Sequence, residues 1–266
     1  MHYVVSDVHG RCEAVVAALR QAKLLDSDRS WCGGQARLTF LGDYFDRGPD
    51  GVAVVDLVRR LQDEAAASGG RVDAVIGNHE ILALGMSRFG GQHVPSDIWS
   101  GRSFARSWAL NGGQVRDQQS LTGEHIRWLS GLDSVVLAGS DRLLHSDTTD
   151  YLRWGETTEQ INNAVRKVLA GDDIEKWWQC WVRLTTRYAF AGVDGEDVAA
   201  DLLHRLGGKR IVHGHSIITT FTGQDLSEVS GPFSYASGRV LAVDGGVCCG
   251  GPCLVVPLDH HFAPEA

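Results

Sequence analysis

The chain has no excess of positive charge and no long apolar run. Its 25 Lys and Arg are outnumbered by 33 Asp and Glu, giving a formal net charge of −8. A broad nucleic-acid-binding face is thereby excluded, although a local basic site is not. No apolar run is long enough to span a bilayer, so no membrane partner is expected. There is no internal repeat and no low-complexity tract. The first residues enter a strand at once, without the basic region, apolar core and cleavage site of a secretory leader, and a cytoplasmic protein is the expectation. Half of a zinc site is missing too. Cys248, Cys249 and Cys253 could form one half, but no matching second half follows to complete four ligands. They read as small buried residues near a strand hairpin, with all six thiols reduced.

At 266 residues and 43% apolar composition, the chain can bury a full core as one domain, residues 1–266. Residues 1 to about 86 alternate strand and helix three times, the mark of an α/β protein with parallel strands. Three apolar runs each end in polar residues: Tyr3-Val4-Val5 before Ser6-Asp7-Val8-His9-Gly10, Arg37 to Leu41 before Gly42-Asp43-Tyr44-Phe45-Asp46-Arg47-Gly48, and Val72 to Ile76 before Gly77-Asn78-His79-Glu80. After the second, Val52, Val55, Val58 and Leu61 recur at helical spacing. The acids therefore sit on strand-to-helix turns, where α/β sheets present their chemistry. Glu80 reads as support for its turn.

From about residue 87 to 134 the pattern breaks into short segments between glycine pairs, an insertion folding over the strand ends. Seven of the eight tryptophans fall between Trp99 and Trp181. They suggest an aromatic wall, although Trp177, Trp178 and Trp181 also suit plain helix packing. Val135 to Leu137 and Leu143 to His145 read as paired strands, Thr158 to Leu169, Asp173 to Leu184 and Val198 to Leu206 as helices. Ile211 to His215 is a strand running into a turn. Ile217 to Phe221, Val240 to Val243 and Leu254 to Val256 read as closing, antiparallel strands.

Asp7, His9, Asp43, Asp46, Asn78, His79, His145 and His215 thus share one kind of position, a strand end. Singly, each has an ordinary structural explanation; together they call for a joint one. Carboxylate, imidazole and amide oxygen form a ligand set for first-row divalent metals. A carboxylate using both oxygens can bridge two ions, and ions about 3.5–4 Å apart stabilise both oxygens of a phosphoryl displacement.

These motifs resemble those of the bacterial-type phosphoprotein phosphatases, a branch of the calcineurin-like metallophosphoesterases. The three N-terminal motifs match in order and spacing. His145 and Gly214-His215 match the two later histidine motifs. Trp108 with Asn111-Gly112-Gly113, and Val243-Asp244-Gly245-Gly246 through Gly250-Gly251, resemble further segments of the bacterial members. The resemblance implies a β-sandwich of two mixed sheets flanked by helices, with a cap-like insertion at about 87–187. It implies Asp7 and His9 on one metal, Asn78, His145 and His215 on a second, and Asp43 bridging. Ile217 stands where broader metallophosphoesterases place another histidine, which fits the phosphoprotein phosphatase branch, and His213 is not assigned as a ligand. The two ions would be Mn, Fe or Zn.

The same resemblance implies direct attack on phosphorus by a metal-activated hydroxide. His79 would be the general acid, Asp46 would orient it, and Arg47 and Asn78 would touch phosphate. A second phosphate-binding arginine is expected between the last two histidines, with Arg183 and Arg187 as candidates and Arg153 behind them. His145 is followed by Ser146-Asp147 where the family usually has small residues, and Asp147 reads as facing solvent. The expected substrate is a phosphorylated protein or small phosphoester, phosphoserine and phosphothreonine before phosphotyrosine. Symmetrical hydrolysis of diadenosine tetraphosphate is a second reading, and a catalytically inactive phosphate-binding module a third.

Overall fold

Alternation along very short strands sorts the side chains into two cores. In the computed structural model, which describes residues 1–95 and 97–259, β1 (His2–Val5), β2 (Arg37–Phe40) and β3 (Arg71–Ala74) run parallel in the order β3-β2-β1. The second sheet holds β4 (Val135–Ala138), β5 (Asp141–Leu144), β6 (Arg210–His213), β7 (Phe233–Tyr235) and β8 (Val240–Ala242), in the order β4-β5-β6-β8-β7. Strand β9 (Val256–Pro257) closes the first sheet antiparallel to β1, with Val4 opposite Val256. Both sheets are therefore mixed.

Val4 and Val256 pack with Leu143, Val212 and Leu241 of the other sheet. The neighbours of these residues, Val5, Leu144, Ile211 and Val240, point the opposite way and join the helical core. That outer layer is built by α1 (Cys12–Gln21), α2 (Gly51–Ala67), α3 (Asn78–Phe89), α4 (Phe104–Leu110), α5 (Val115–Ser120), α6 (Gly123–Ser130), α7 (Thr158–Ala170), α8 (Ile174–Thr185) and α9 (Gly195–Leu206). Helix α2 buries Val54, Val55, Val58 and Leu61. Its first amides are satisfied from outside: the Asp117 carboxylate, on α5, accepts from Gly51 N and Val52 N at 3.1 Å each. The insertion is thus tied to the strand-end half of the molecule.

The tryptophans mostly build that layer. Trp177 and Trp178 are buried against Phe104, with ring centroids 6.5 and 5.2 Å away. Trp128 lies by Tyr44 and gives its indole N–H to Gln62.

Three expectations give way. Ile217 to Phe221 is not a strand: Ile218 N bonds to the Asp244 carbonyl at 3.0 Å and the chain enters the short helix α10 (Thr219–Thr222). Burial of Ile218 with Val229 and Ala242 outweighs the strand preference of its β-branched neighbours. Strand β8 runs parallel to β6 and is antiparallel only to β7, a pairing that local pattern does not encode. Cys248 and Cys249 occupy a 3₁₀ turn, not a hairpin; Cys249 is exposed, Cys248 and Cys253 half-buried, and all six thiols are free. Among the described residues no helix is long and apolar enough to cross a membrane.

Leu241 is fully buried between the sheets, whereas Leu137 on β4 is 49% exposed. Leu241→Ala should lower unfolding free energy by about 2–5 kcal/mol, read from urea denaturation. Leu137→Ala should change it by about 0.5 kcal/mol or less.

Candidate dinuclear metal site

The strand ends that carry the motifs meet on one side of the sandwich. β1 ends before Asp7 and His9, β2 before Asp43 and Asp46, β5 before His145 and β6 before His215, while Asn78 and His79 open α3. To aim these side chains at one point the chain turns sharply. Asp7, His9, Asp43, Asp46, Arg47 and His215 all have φ between 41° and 67°, a region that costs non-glycine residues energy and persists where surrounding bonds enforce it. The enforcing bonds are present. His9 N donates to the Asp43 carbonyl at 2.9 Å and Asp7 N to that of Gly42 at 3.2 Å. The Glu80 carboxylate accepts from Asp43 N and Gly77 N at 2.8 Å each and from Tyr44 N at 2.7 Å. Gly48 has no room for a side chain, since a Cβ there would lie 2.1 Å from the His9 carbonyl oxygen.

The centre these turns enclose is rich in lone pairs. His145 gives its Nδ1–H to the Leu41 carbonyl at 2.8 Å. Its Nε2 is then a bare acceptor, yet it faces Asn78 Oδ1 at 2.9 Å and Asp43 Oδ1 at 3.3 Å. His9 likewise donates Nδ1–H to the Phe45 carbonyl at 2.8 Å and turns Nε2 towards Asp43 Oδ2, 3.7 Å away. Ligand atoms of Asp7, Asp43, His145 and His215 lie within 4.8 Å of one another, as do those of His9, Asp43 and His79, so Asp43 belongs to both groups. Acceptors buried face to face repel unless a cation stands between them. Burial, with Asp7 and Glu80 nearby, pushes the Asp43 carboxyl well above its usual range. Burial also holds His9 and His215 well below the usual histidine range, with neighbouring His79 and Arg47 adding to it at His9 and His145 and Arg187 at His215. Neutral imidazoles and crowded carboxylates of this kind fit two divalent ions sharing Asp43. Asp7 is held below its usual value: burial opposes this, but His145, His9, the Ser6 hydroxyl and the His215 amide outweigh it.

A second constellation borders the cluster. His79 donates Nδ1–H to Asp46 Oδ2 at 2.7 Å, and Trp108 donates its indole N–H to Asp46 Oδ1 at 3.1 Å. Burial pushes Asp46 up to about 8, against the pull of Trp108 and Arg47. His79 Nε2 lies 3.2 Å from Arg47 Nη2 and 3.9 Å from Asp43 Oδ2. Arg47 is exposed, its backbone N–H anchored on the Gly112 carbonyl at 2.7 Å and its Nη1 3.4 Å from Cys248 Sγ. Arg187 Nη2 lies 2.8 Å from His215 Nε2, a nitrogen also 3.1 Å from the Thr185 carbonyl. One ring nitrogen serves only one of these partners. When it donates to Thr185, Nδ1 is the lone pair left for the cluster and Arg187 is released.

The calcineurin-like phosphoesterase family profile matches residues 3–218. The chain belongs to the calcineurin-like phosphoesterases. It is 35% identical over 256 residues to Shewanella-like protein phosphatase 2 of Arabidopsis thaliana, covering 80% of this chain; the chain spans 65% of that relative's length. In fold, this phosphoesterase is similar to a cold-active protein-tyrosine phosphatase of a psychrophilic Shewanella species, with TM-score 0.69, 20% identity, and coverage of 94% of this chain and 72% of that one. A protein serine/threonine phosphatase from Saccharomyces cerevisiae has TM-score 0.52 and 16% identity, covering 91% of this chain and 66% of that one.

Within this phosphoesterase, Asp7, His9, Asp43, Asn78, His79, Asp46, His145, His215 and Arg47 come together, and Arg187 joins them. Arg183 does not. Its guanidinium lies over the Trp154 ring, 5.3 Å from the centroid, because its position on α8 faces that ring. Arg153 instead pairs with Asp150 at 2.7 Å. His213 uses both nitrogens elsewhere, donating to the Gly214 carbonyl and accepting from Tyr235 Oη, each at 2.8 Å. Asp147 does not face solvent: it is fully buried and accepts from Tyr188 N and Ser216 Oγ, each at 2.7 Å. Sequence reasoning also missed the bond from Trp108 to Asp46. Its signal was the placement of Trp108 just before Asn111-Gly112-Gly113.

Elemental analysis of this phosphoesterase after loading with Mn²⁺ should find two equivalents per chain. Asp43→Asn should reduce that to below one, since both groups of ligands lose the shared carboxylate. A native protein holding a single equivalent would contradict the shared site.

Proposed function

We propose that this phosphoesterase hydrolyses phosphate monoesters carried on proteins, phosphoserine and phosphothreonine first and phosphotyrosine beside them. The observation that carries this reading is the convergence of a cation-demanding cluster, the Asp46–His79 pair and two guanidiniums on one mouth. Bound there, two divalent ions would polarise a phosphoryl oxygen and make a water acidic enough to attack at neutral pH. Mn²⁺, Fe and Zn²⁺ all suit the nitrogen and oxygen donors. Asp7, His9 and Asp43 would hold one ion, and Asp43, Asn78, His145 and His215 the other.

The remaining work belongs to the chain's own groups. Arg47, beside His79, and Arg187, beside His215, present planar forks for phosphate oxygens. His79 offers a proton at Nε2 to the departing oxygen, next to the point where Arg47 holds phosphate. By accepting from Nδ1–H, Asp46 orients the ring and would stabilise the imidazolium that carries the second proton at Nε2, and Trp108 holds Asp46 in turn. Trp108, Gly112 and Arg187 all come from residues 87–187, which supports reading that stretch as a cap on a single catalytic domain.

A dinucleotide substrate would need aromatic faces for adenine and free charge for a polyphosphate. Trp177 and Trp178 are spent in the core and Trp154 lies beneath Arg183. Arg116 and Arg153 pair with Asp50 and Asp150. These contacts favour the phosphoprotein reading, and the intact Asp46–His79 pair argues against an inactive binding module.

A panel with added Mn²⁺ tests the substrate: phosphopeptides and para-nitrophenyl phosphate should be hydrolysed, diadenosine tetraphosphate slowly or not at all. Rapid ADP release with phosphopeptides untouched would overturn the proposal. His79→Asn should keep both metals and lower turnover of a phosphoserine peptide by roughly 10²–10⁴-fold. The loss on para-nitrophenyl phosphate should be smaller, because that leaving group needs less protonation. Equal losses would assign His79 another role.

A further inference from the structure

Asp147 is a carboxylate with no exposed surface, and it lies outside both ligand groups of the metal cluster. Burying such a group is costly unless its lone pairs are used. One oxygen accepts from Tyr188 N at 2.7 Å and the other from Ser216 Oγ at 2.7 Å. Its own carbonyl accepts from Ala189 N at 2.9 Å. Tyr188 directly follows Arg187, and Ser216 directly follows His215. Tyr188 has φ 69°, an uncommon conformation for an aromatic residue and one that needs enforcement. Its ring meets Phe221 at 6.0 Å between centroids and lies 5.9 Å from the Arg187 guanidinium carbon.

We propose that Asp147 is a positioning residue for phosphate binding. Its carboxylate ties the segment carrying Arg187 to the turn carrying His215, so that the Arg187 guanidinium stands beside the cluster before substrate arrives. The inference rests on the reading of Arg187 as a phosphate-binding group. Helix α8 ends at Thr185, so without the tie the backbone of Arg187 and Tyr188 would be held mainly by the Ala189 amide bond to the Asp147 carbonyl, the Ala191 amide bond to the Tyr188 carbonyl and ring contacts. A strained Tyr188 would relax and carry Arg187 with it.

Two substitutions separate the tie from the charge. In Asp147→Asn the amide can accept from Tyr188 N–H and donate to the Ser216 hydroxyl, which works in either direction. In Asp147→Ala both bonds are lost. With Mn²⁺-loaded protein and para-nitrophenyl phosphate, Asp147→Ala should raise KM about tenfold with kcat little changed, as expected when binding common to ground and transition states is removed. Asp147→Asn should restore KM to within about threefold of the native value. In an Arg187→Ala background, Asp147→Ala should add nothing further, the mark of two residues acting as one unit. Amide hydrogen exchange across residues 186–190 should quicken in Asp147→Ala and not in Asp147→Asn, a readout independent of turnover. Unchanged exchange would overturn the tie itself. Faster exchange with unaltered KM in both Asp147→Ala and Arg187→Ala would overturn the proposal through the assignment of Arg187. Additive increases in KM, or loss of bound metal in Asp147→Ala, would show that Asp147 acts through other groups.

Discussion

The rest of the structure depends on a set of buried lone pairs that face one another around the Asp43 carboxylate. His145 and His9 each spend their N–H on a backbone carbonyl and turn the bare nitrogen towards the Asp43 carboxylate. Such an arrangement is unfavourable by itself, so the surroundings must impose it. Parallel strands bring five chain segments to one edge, left-handed residues in three of them aim side chains inwards, and Glu80 gathers the amides of Asp43, Tyr44 and Gly77 from the turns after β2 and β3. A divalent cation reverses the sign of the whole cluster, converting repulsion among acceptors into coordination. The strained backbone and the metal preference are two aspects of one design.

Around this rigid centre sits a more loosely hung rim. Arg47 is exposed, its backbone N–H on the Gly112 carbonyl in the insertion and its guanidinium beside Cys248 Sγ and His79 Nε2. Arg187 lies past the end of α8, beside a residue tied down by Asp147. Both guanidiniums are thus carried on loops, and the groups that fix those loops lie far from them in sequence. The division is physically sensible. Metal ligands must keep their geometry within tenths of an ångström, while phosphate-binding groups must admit and release a substrate. Trp108 joins the two parts, since its indole N–H holds the Asp46 carboxylate that orients His79.

The metal cluster was legible in the sequence because its members stand at strand ends or, for Asn78 and His79, at the helix start that follows one, positions that short apolar runs and glycines announce locally. Order and spacing of Asp7, His9, Asp43, Asp46, Asn78 and His79 follow from that alone, as does the alternation that sends Val4 and Val5 to different cores. The position of Arg187, the fate of Arg183 and the burial of Asp147 were not legible, because they depend on which loops meet after the two sheets have packed. Asp147 looked like a solvent-facing acid until Tyr188 and Ser216 closed over it. Ile217 to Phe221 carried strand-forming side chains, but burial of Ile218 beside Val229 set its conformation. The tryptophans likewise suggested a wall around the mouth, yet most of them pack the helical layer. The sequence by itself determined which candidate ligands stand where apolar runs give way to turns, and in what order, since those runs and the glycines beside them are local features. Only the tertiary structure decided which arginine reaches the cluster and what holds it there, since those contacts join residues 28 to 69 positions apart.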